Sequence, residues 1–137
     1  MNLELNDHVI IVTGGAKGIG EGIVNVLARE GAIPVIVGRN EQDNQKTLSE
    51  IQKICPQAIQ ITAELTQPEA CARAVRQTIE KFGRINGLVN NAGVNDGIGL
   101  EHGNYEQFMA SLHKNLVHYS VCLFLIFHWM VNLIYLI

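Results

Sequence analysis

The sequence predicts an α/β fold, a doubly wound parallel sheet left incomplete, with strand order 3-2-1-4. Two observations predict it. Short β-branched runs alternate with one-sided helical patterns along the chain, and a glycine cluster stands where the first strand gives way to the first helix.

The elements follow in order. "HVIIVTGG" (8–15) is a β-branched run stopped by two glycines, a buried strand feeding a turn. From Ile19 to Glu30 the apolar residues Ile19, Ile23, Val26 and Leu27 fall at helical spacing, and Gly31 closes the segment. "IPVIV" (33–37) is a second strand. Residues 42–55 place Leu48, Ile51 and Cys55 on one side of a helix. "AIQIT" (58–62) is a third strand. Residues 68–82 open at a proline and put Cys71, Val75, Ile79 and Phe82 on one face. "NGLVNNAG" (86–93) is a fourth strand running into a small-residue turn, and residues 104 to about 130 read as one long helix.

Composition excludes several classes. With 137 residues, 47% of them hydrophobic and 17% charged, the chain is long enough and apolar enough for one packed domain. A net charge of −3 is too mild for a nucleic-acid surface. Cys55, Cys71 and Cys122 are odd in number and form no Cys-x-x-Cys, which favours a reducing, cytoplasmic setting over a disulfide framework or a zinc site. The N-terminus "MNLELNDH" lacks the pattern of a signal peptide.

The first strand delivers "TGGAKGIG", in which Gly14, Gly18 and Gly20 stand between a strand and a helix. Residues without a Cβ let the chain turn sharply and let a phosphate approach the backbone. The helix from Ile19 then offers that phosphate free N–H groups and a positive dipole end. A tight turn would use the same glycines. Their place after the first strand is what points to a dinucleotide.

Thr13-Gly14-x-x-x-Gly18-x-Gly20 resembles the cofactor motif of the short-chain dehydrogenase/reductase family, a Rossmann-type fold. "NNAG" (90–93) resembles that family's fourth-strand motif, and Asn115 stands where the family places an asparagine in the following helix. The resemblance covers about residues 5–118, so residues 1–118 are expected to be the N-terminal part of a nucleotide-binding domain and 119–137 an anomalous apolar tail. The loop "NAGVNDGIGLEHG" is similar to that of sugar dehydrogenases of the L-fucose type.

The resemblance implies NADP or NAD as cofactor, a small alcohol or carbonyl substrate such as a sugar, and a homo-oligomer for a full-length member. The choice of cofactor is made just after the second strand, where a carboxylate accepts from a ribose 2′-OH and an arginine pairs with a 2′-phosphate. Here the position holds Arg39, and Lys17 in the glycine turn reaches the same place, so NADP is favoured. Two solvated loop charges, with Glu41 at the ribose, would instead suit NAD. By the resemblance Glu64 and Leu65 lie beside the adenine, and Asn91, Ala92 and Gly93 line the ribose side. Glu64 departs from the family's usual aspartate.

The family uses a tyrosine for proton transfer, a lysine four residues on that lowers its pKa, a serine that orients the substrate oxygen, and an asparagine that completes the relay. Only the asparagine, Asn115, is assignable. Tyr105 is followed four later by Met109 and Tyr119 by Leu123, and Tyr135 has only two residues after it. The histidines supply neither a metal motif nor a triad. Two other expectations therefore stand beside the oxidoreductase: a non-catalytic nucleotide-binding fragment, and a protein attached to a membrane through residues 117–137.

The tail, "SVCLFLIFHWMVNLIYLI" (120–137), admits three readings. It is the family's helix continued, a membrane span, or sequence foreign to the fold beyond about Tyr119, as a frameshift or early end would produce. The unbroken apolar run Val121–Phe127 is unlike a one-sided helix, His118, His128 and Asn132 interrupt a span, and the third reading is the expectation.

Overall fold

The computed structural model describes residues 3–99 and 101–134. Its elements are β1 (Val9–Thr13), α1 (Gly18–Arg29), β2 (Ile33–Gly38), α2 (Glu41–Ile51), β3 (Ile59–Thr62), α3 (Pro68–Phe82), β4 (Gly87–Val89), α4 (Tyr105–Leu112), a π-helical segment (His113–Val117) and α5 (His118–Ile134). The four strands form one sheet of order β3-β2-β1-β4, all parallel. Ile11 stands between Val35 of β2 and Leu88 of β4, and Val35 in turn pairs with Ile59.

Strand parity divides the core. Val9, Ile11, Val35, Val37 and Ile61 point to one face and pack with Cys71, Ala74 and Val75 of α3 and Cys122 and Ile126 of α5. Ile10, Val12 and Ile36 point to the other and pack with Val24 and Ala28 of α1 and Leu48 and Ile51 of α2. Both faces are covered, which is why β1 and β2 read as continuous apolar runs rather than alternating ones.

Four details depart from the expected elements. Helix α1 buries Gly20, Val24 and Ala28, while Ile19 is 79% exposed and Val26 53%. Gly20 must face the turn at Gly14, and that contact rotates the helix away from the stripe its apolar residues suggest. Helix α2 ends at Ile51 rather than Cys55, because Cys55 precedes Pro56 and that position disfavours helix. Strand β4 stops at Val89: the N–H groups of Asn91 and Ala92 turn to the Thr13 hydroxyl instead of continuing a ladder.

The fourth departure is the last helical run. It is broken by the π-helical segment His113–Val117, an inserted wide turn centred on Asn115. Beyond it, α5 buries Cys122 and Ile126 against the sheet and α3 while Leu123, Phe124 and Phe127 stand exposed. The apolar composition of residues 121–127 thus hides a one-sided packing. Among the described residues no helix is long and apolar enough to cross a membrane.

Candidate functional site

A groove of about 690 Å³ opens at the carboxyl ends of the strands, beside the point where the sheet order reverses at β1. It is bounded by the glycine turn, the end of β2 at Gly38–Asn40, the segment Ala63–Thr66 after β3, the segment Asn91–Val94 after β4, and Lys114 and His118.

The glycine turn is built by close approach. Gly14 has φ +65°, its N–H donates to the Val37 carbonyl at 2.7 Å, and a Cβ there would stand 2.9 Å from the Ala92 Cα. A Cβ on Gly20 would collide with the Gly14 carbonyl and stand 2.5 Å from the Asn91 amide nitrogen. The first helical residue is Gly18, and the N-cap, Lys17, makes no side-chain cap. The first-turn N–H groups, Gly18, Ile19 and Gly20 among them, have no intrahelical acceptors, and Ile19 and Gly20 line the groove. Ile19 is exposed in the groove wall, an apolar surface offered to a ligand rather than to the core.

Thr13 and Asn91 tie this turn to the segment after β4. The Thr13 hydroxyl accepts from the N–H of Asn91 at 2.9 Å and of Ala92 at 3.0 Å, and donates to the Val89 carbonyl at 3.2 Å. The Asn91 side-chain amide donates to the carbonyls of Thr13 and Gly14 at 3.0 and 3.2 Å.

The two cations behave differently. Arg39 lies exposed in the groove wall. Lys17 forms a salt bridge of 2.7 Å with Asp43 of α2, so it reaches across the groove mouth already engaged. Glu64 accepts from the N–H and hydroxyl of Thr66 at 3.3 and 3.0 Å, which turns its carboxylate towards the start of α3. Leu65 is buried, and its carbonyl accepts from the Cys71 thiol.

Asn115 sits in the π-helical segment. Its Oδ1 accepts from the Val94 N–H at 2.7 Å, and its Nδ2 donates to the Ser111 carbonyl at 3.0 Å. A Cβ on Gly93 would come within 2.9 Å of that Oδ1. The wide turn thus lets one side chain hold the segment after β4.

Of the expected residues, Gly14, Lys17, Ile19, Gly20, Arg39, Glu64, Leu65, Asn91, Ala92 and Gly93 line one opening. Gly18, Thr13 and Asn115 are not part of its lining, Thr13 and Asn115 bonding instead to the segment after β4, and four further residues bear on the site. Asn44, fully buried on α2, donates to the Gly38 carbonyl and Gln60 while its own carbonyl oxygen has no partner. A polar residue at helical spacing from Leu48 and Ile51 is the sequence signal that could have found it. Asp43 holds Lys17, and Val94 is the anchor for Asn115. His118 is 2% exposed and lies against the groove. Burial holds its pKa below the ordinary value. Its spacing from His113 offers no pattern to read. Among the described residues no group of three metal-ligating side chains assembles.

The family model for short chain dehydrogenases matches residues 8–132. The chain belongs to the short-chain dehydrogenase family. The match runs past Tyr119, where the sequence reading expects the likeness to stop, and includes the part of α5 that enters the core. A hydroxynaphthalene reductase of Aspergillus fumigatus is 36% identical over 114 residues, 82% of this chain and 42% of that protein. A 12α-hydroxysteroid dehydrogenase of a Clostridium is 36% identical over 116 residues, 79% of this chain and 45% of that protein. The crystal structure of the Cj0485 dehydrogenase superposes with a TM-score of 0.85 at 35% identity, covering 93% of this chain and 48% of that one. The chain spans less than half the length of each of these relatives.

Proposed function

We propose that the groove binds a nicotinamide dinucleotide, with NADP preferred over NAD, in a protein of cytoplasmic oxidoreductase type. The observation that carries this reading is the glycine turn. Gly14 and Gly20 leave room that a Cβ would fill, and an uncapped helix start faces that room. Gly14, Gly18, Ile19 and Gly20 hold the diphosphate, Arg39 and Lys17 the 2′-phosphate, Glu64 and Leu65 the adenine, and Asn91, Ala92 and Gly93 the ribose side. Thr13, placed with these by the resemblance, also fixes the Asn91 segment.

When bound, the nicotinamide supplies or accepts a hydride against an alcohol or carbonyl carbon. A sugar is the proposed substrate class, and it rests on the loop 91–103 alone. Asn115 positions the segment carrying Gly93 and Val94, and is the member of the proton relay present in this chain. The serine, tyrosine and lysine of that relay have no counterpart in these 137 residues, in which no Tyr-x-x-x-Lys occurs. Isothermal titration with NADP, NAD and ADP tests the reading. Binding of NADP tighter than NAD supports it, and no heat from any of the three removes it.

A second reading, a nucleotide-binding chain without turnover of its own, is favoured by the absent Tyr-x-x-x-Lys. The same titration followed by an assay for nicotinamide reduction separates the two.

A further inference from the structure

His118 opens α5 beneath the groove, at the junction of three segments. From the segment after β4 comes Ala92, whose carbonyl is already taken by the Tyr119 hydroxyl at 3.0 Å. From the segment after β3 comes the Glu64 carboxylate, and from the π-helical segment His113. On α5 itself the Tyr119 ring meets the His118 ring edge to face, with centroids 4.6 Å apart. The imidazole is 2% exposed, and neither ring nitrogen has a hydrogen-bond partner. Buried polar groups are nearly always satisfied, so two orphaned nitrogens under a ligand groove call for an explanation.

A neutral ring tolerates this site and a charged one does not. Burial disfavours the imidazolium and outweighs the Ala92 carbonyl and the Glu64 carboxylate, both of which favour it; His113 opposes it as well. A proton on the buried ring would therefore favour a shift towards the Glu64 carboxylate. That carboxylate bonds Thr66 in the groove wall, and Ala92 rests beside the ring.

We propose that His118 is a positioning residue that couples nucleotide binding in the groove to pH, holding the Ala92 and Glu64 walls in place only while its ring is uncharged. The inference rests on the dinucleotide reading above. Binding and protonation then compete, so acid weakens the nucleotide and bound nucleotide resists protonation of the ring.

The probe is NAD, because the 2′-phosphate of NADP titrates near pH 6 on its own and would confuse the profile. Affinity for NAD is measured from pH 8 to pH 5.5 on the 137-residue chain and on His118→Gln and His118→Phe, with circular dichroism at each pH to confirm the fold. In the parent chain log Kd is expected to be flat above neutrality and to rise in acid with a slope of up to about one per pH unit, the one-proton limit. In a folded variant the acid limb disappears, so its log Kd changes less between pH 8 and pH 5.5 than that of the parent chain, whatever its affinity at pH 8. Matching acid limbs in parent and variants overturn the proposal and leave the dinucleotide reading intact, as does a flat profile in the parent. Loss of the fold in both variants directs the question to ring NMR of the parent. There, release of NAD must follow the His118 titration, and release at another pH overturns the proposal. No NAD binding at pH 8, in a chain that also fails to bind NADP and ADP, removes both readings together.

Discussion

Thr13 and Asn91, 78 residues apart, are joined twice: the Asn91 N–H donates to the Thr13 hydroxyl, and the Asn91 side chain donates to the Thr13 carbonyl. One hydroxyl at the end of β1 therefore ends β4 and sets the wall of the groove. Thr13→Val keeps the shape but leaves the N–H groups of Asn91 and Ala92 without their acceptor in a half-buried site. The expected cost is about 1–3 kcal/mol, read as a lower urea midpoint with unchanged slope. An unchanged midpoint would mean that water replaces the hydroxyl without loss.

Gly20→Ala is expected to be worse for binding than a surface change of the same size. The added methyl collides with the Gly14 carbonyl, which is backbone and cannot step aside. Gly22 on the same helix meets nothing within 4 Å and serves as the control. Titration with dinucleotide should show binding abolished in Gly20→Ala and retained in Gly22→Ala, and equal affinities would detach the glycine turn from the ligand.

Arg39→Asp should move preference from NADP towards NAD. Loss of a charge-assisted bond to the 2′-phosphate weakens NADP by about 1.5–3 kcal/mol, and the new carboxylate accepts from the ribose 2′-OH. Asp43→Asn releases Lys17 from its salt bridge and should strengthen NADP at low salt, the gain fading as salt screens the pair. An unchanged NADP to NAD ratio in Arg39→Asp would show that this cation does not read the phosphate.

How much of this was legible depends on the kind of force at work. Strand order, the parallel sheet and the glycine turn follow from local pattern, since β-branched runs, helical spacing and residues lacking a Cβ act over a few positions. The orientation of α1 was not legible, because Gly20 against Gly14 overrides the stripe of Ile19 and Val26. The π-helical turn was also hidden: its stabilising contact, Asn115 to the Val94 N–H, joins residues that only the fold brings together. The tail misled for the opposite reason. Composition sees apolar residues on every side of α5, and only packing shows that Cys122 and Ile126 have a sheet to bury against.

Acid should also destabilise the fold itself. The folded state keeps His118 neutral below the pH at which an unfolded histidine charges, near 6.5, so below that pH the unfolded chain binds the extra proton. Stability attributable to His118 is therefore intact above about pH 6.5 and declines as pH falls towards the depressed folded value. Melting curves at matched pH should show the parent losing stability relative to His118→Phe as pH falls from 8 into acid. A constant separation would assign the acid loss to other groups.

The last prediction concerns turnover. The chain has the groove but no Tyr-x-x-x-Lys, and Tyr119 spends its hydroxyl on the Ala92 carbonyl. Without a phenol poised by a neighbouring cation, general acid–base help of about 10²–10⁴ in rate is missing. Strand β4 is also a sheet edge, paired with β1 alone among the described strands, and Phe108, Leu123, Phe124 and Phe127 stand more than half exposed along the last helical run. An open edge beside exposed apolar side chains favours self-association. The purified 137-residue chain is therefore expected to bind dinucleotide, to sediment as more than a monomer, and to reduce no nicotinamide across a panel of sugars and secondary alcohols. A monodisperse monomer that turns over any of them would overturn both parts, because it would require a proton donor and a covered edge that these residues do not supply.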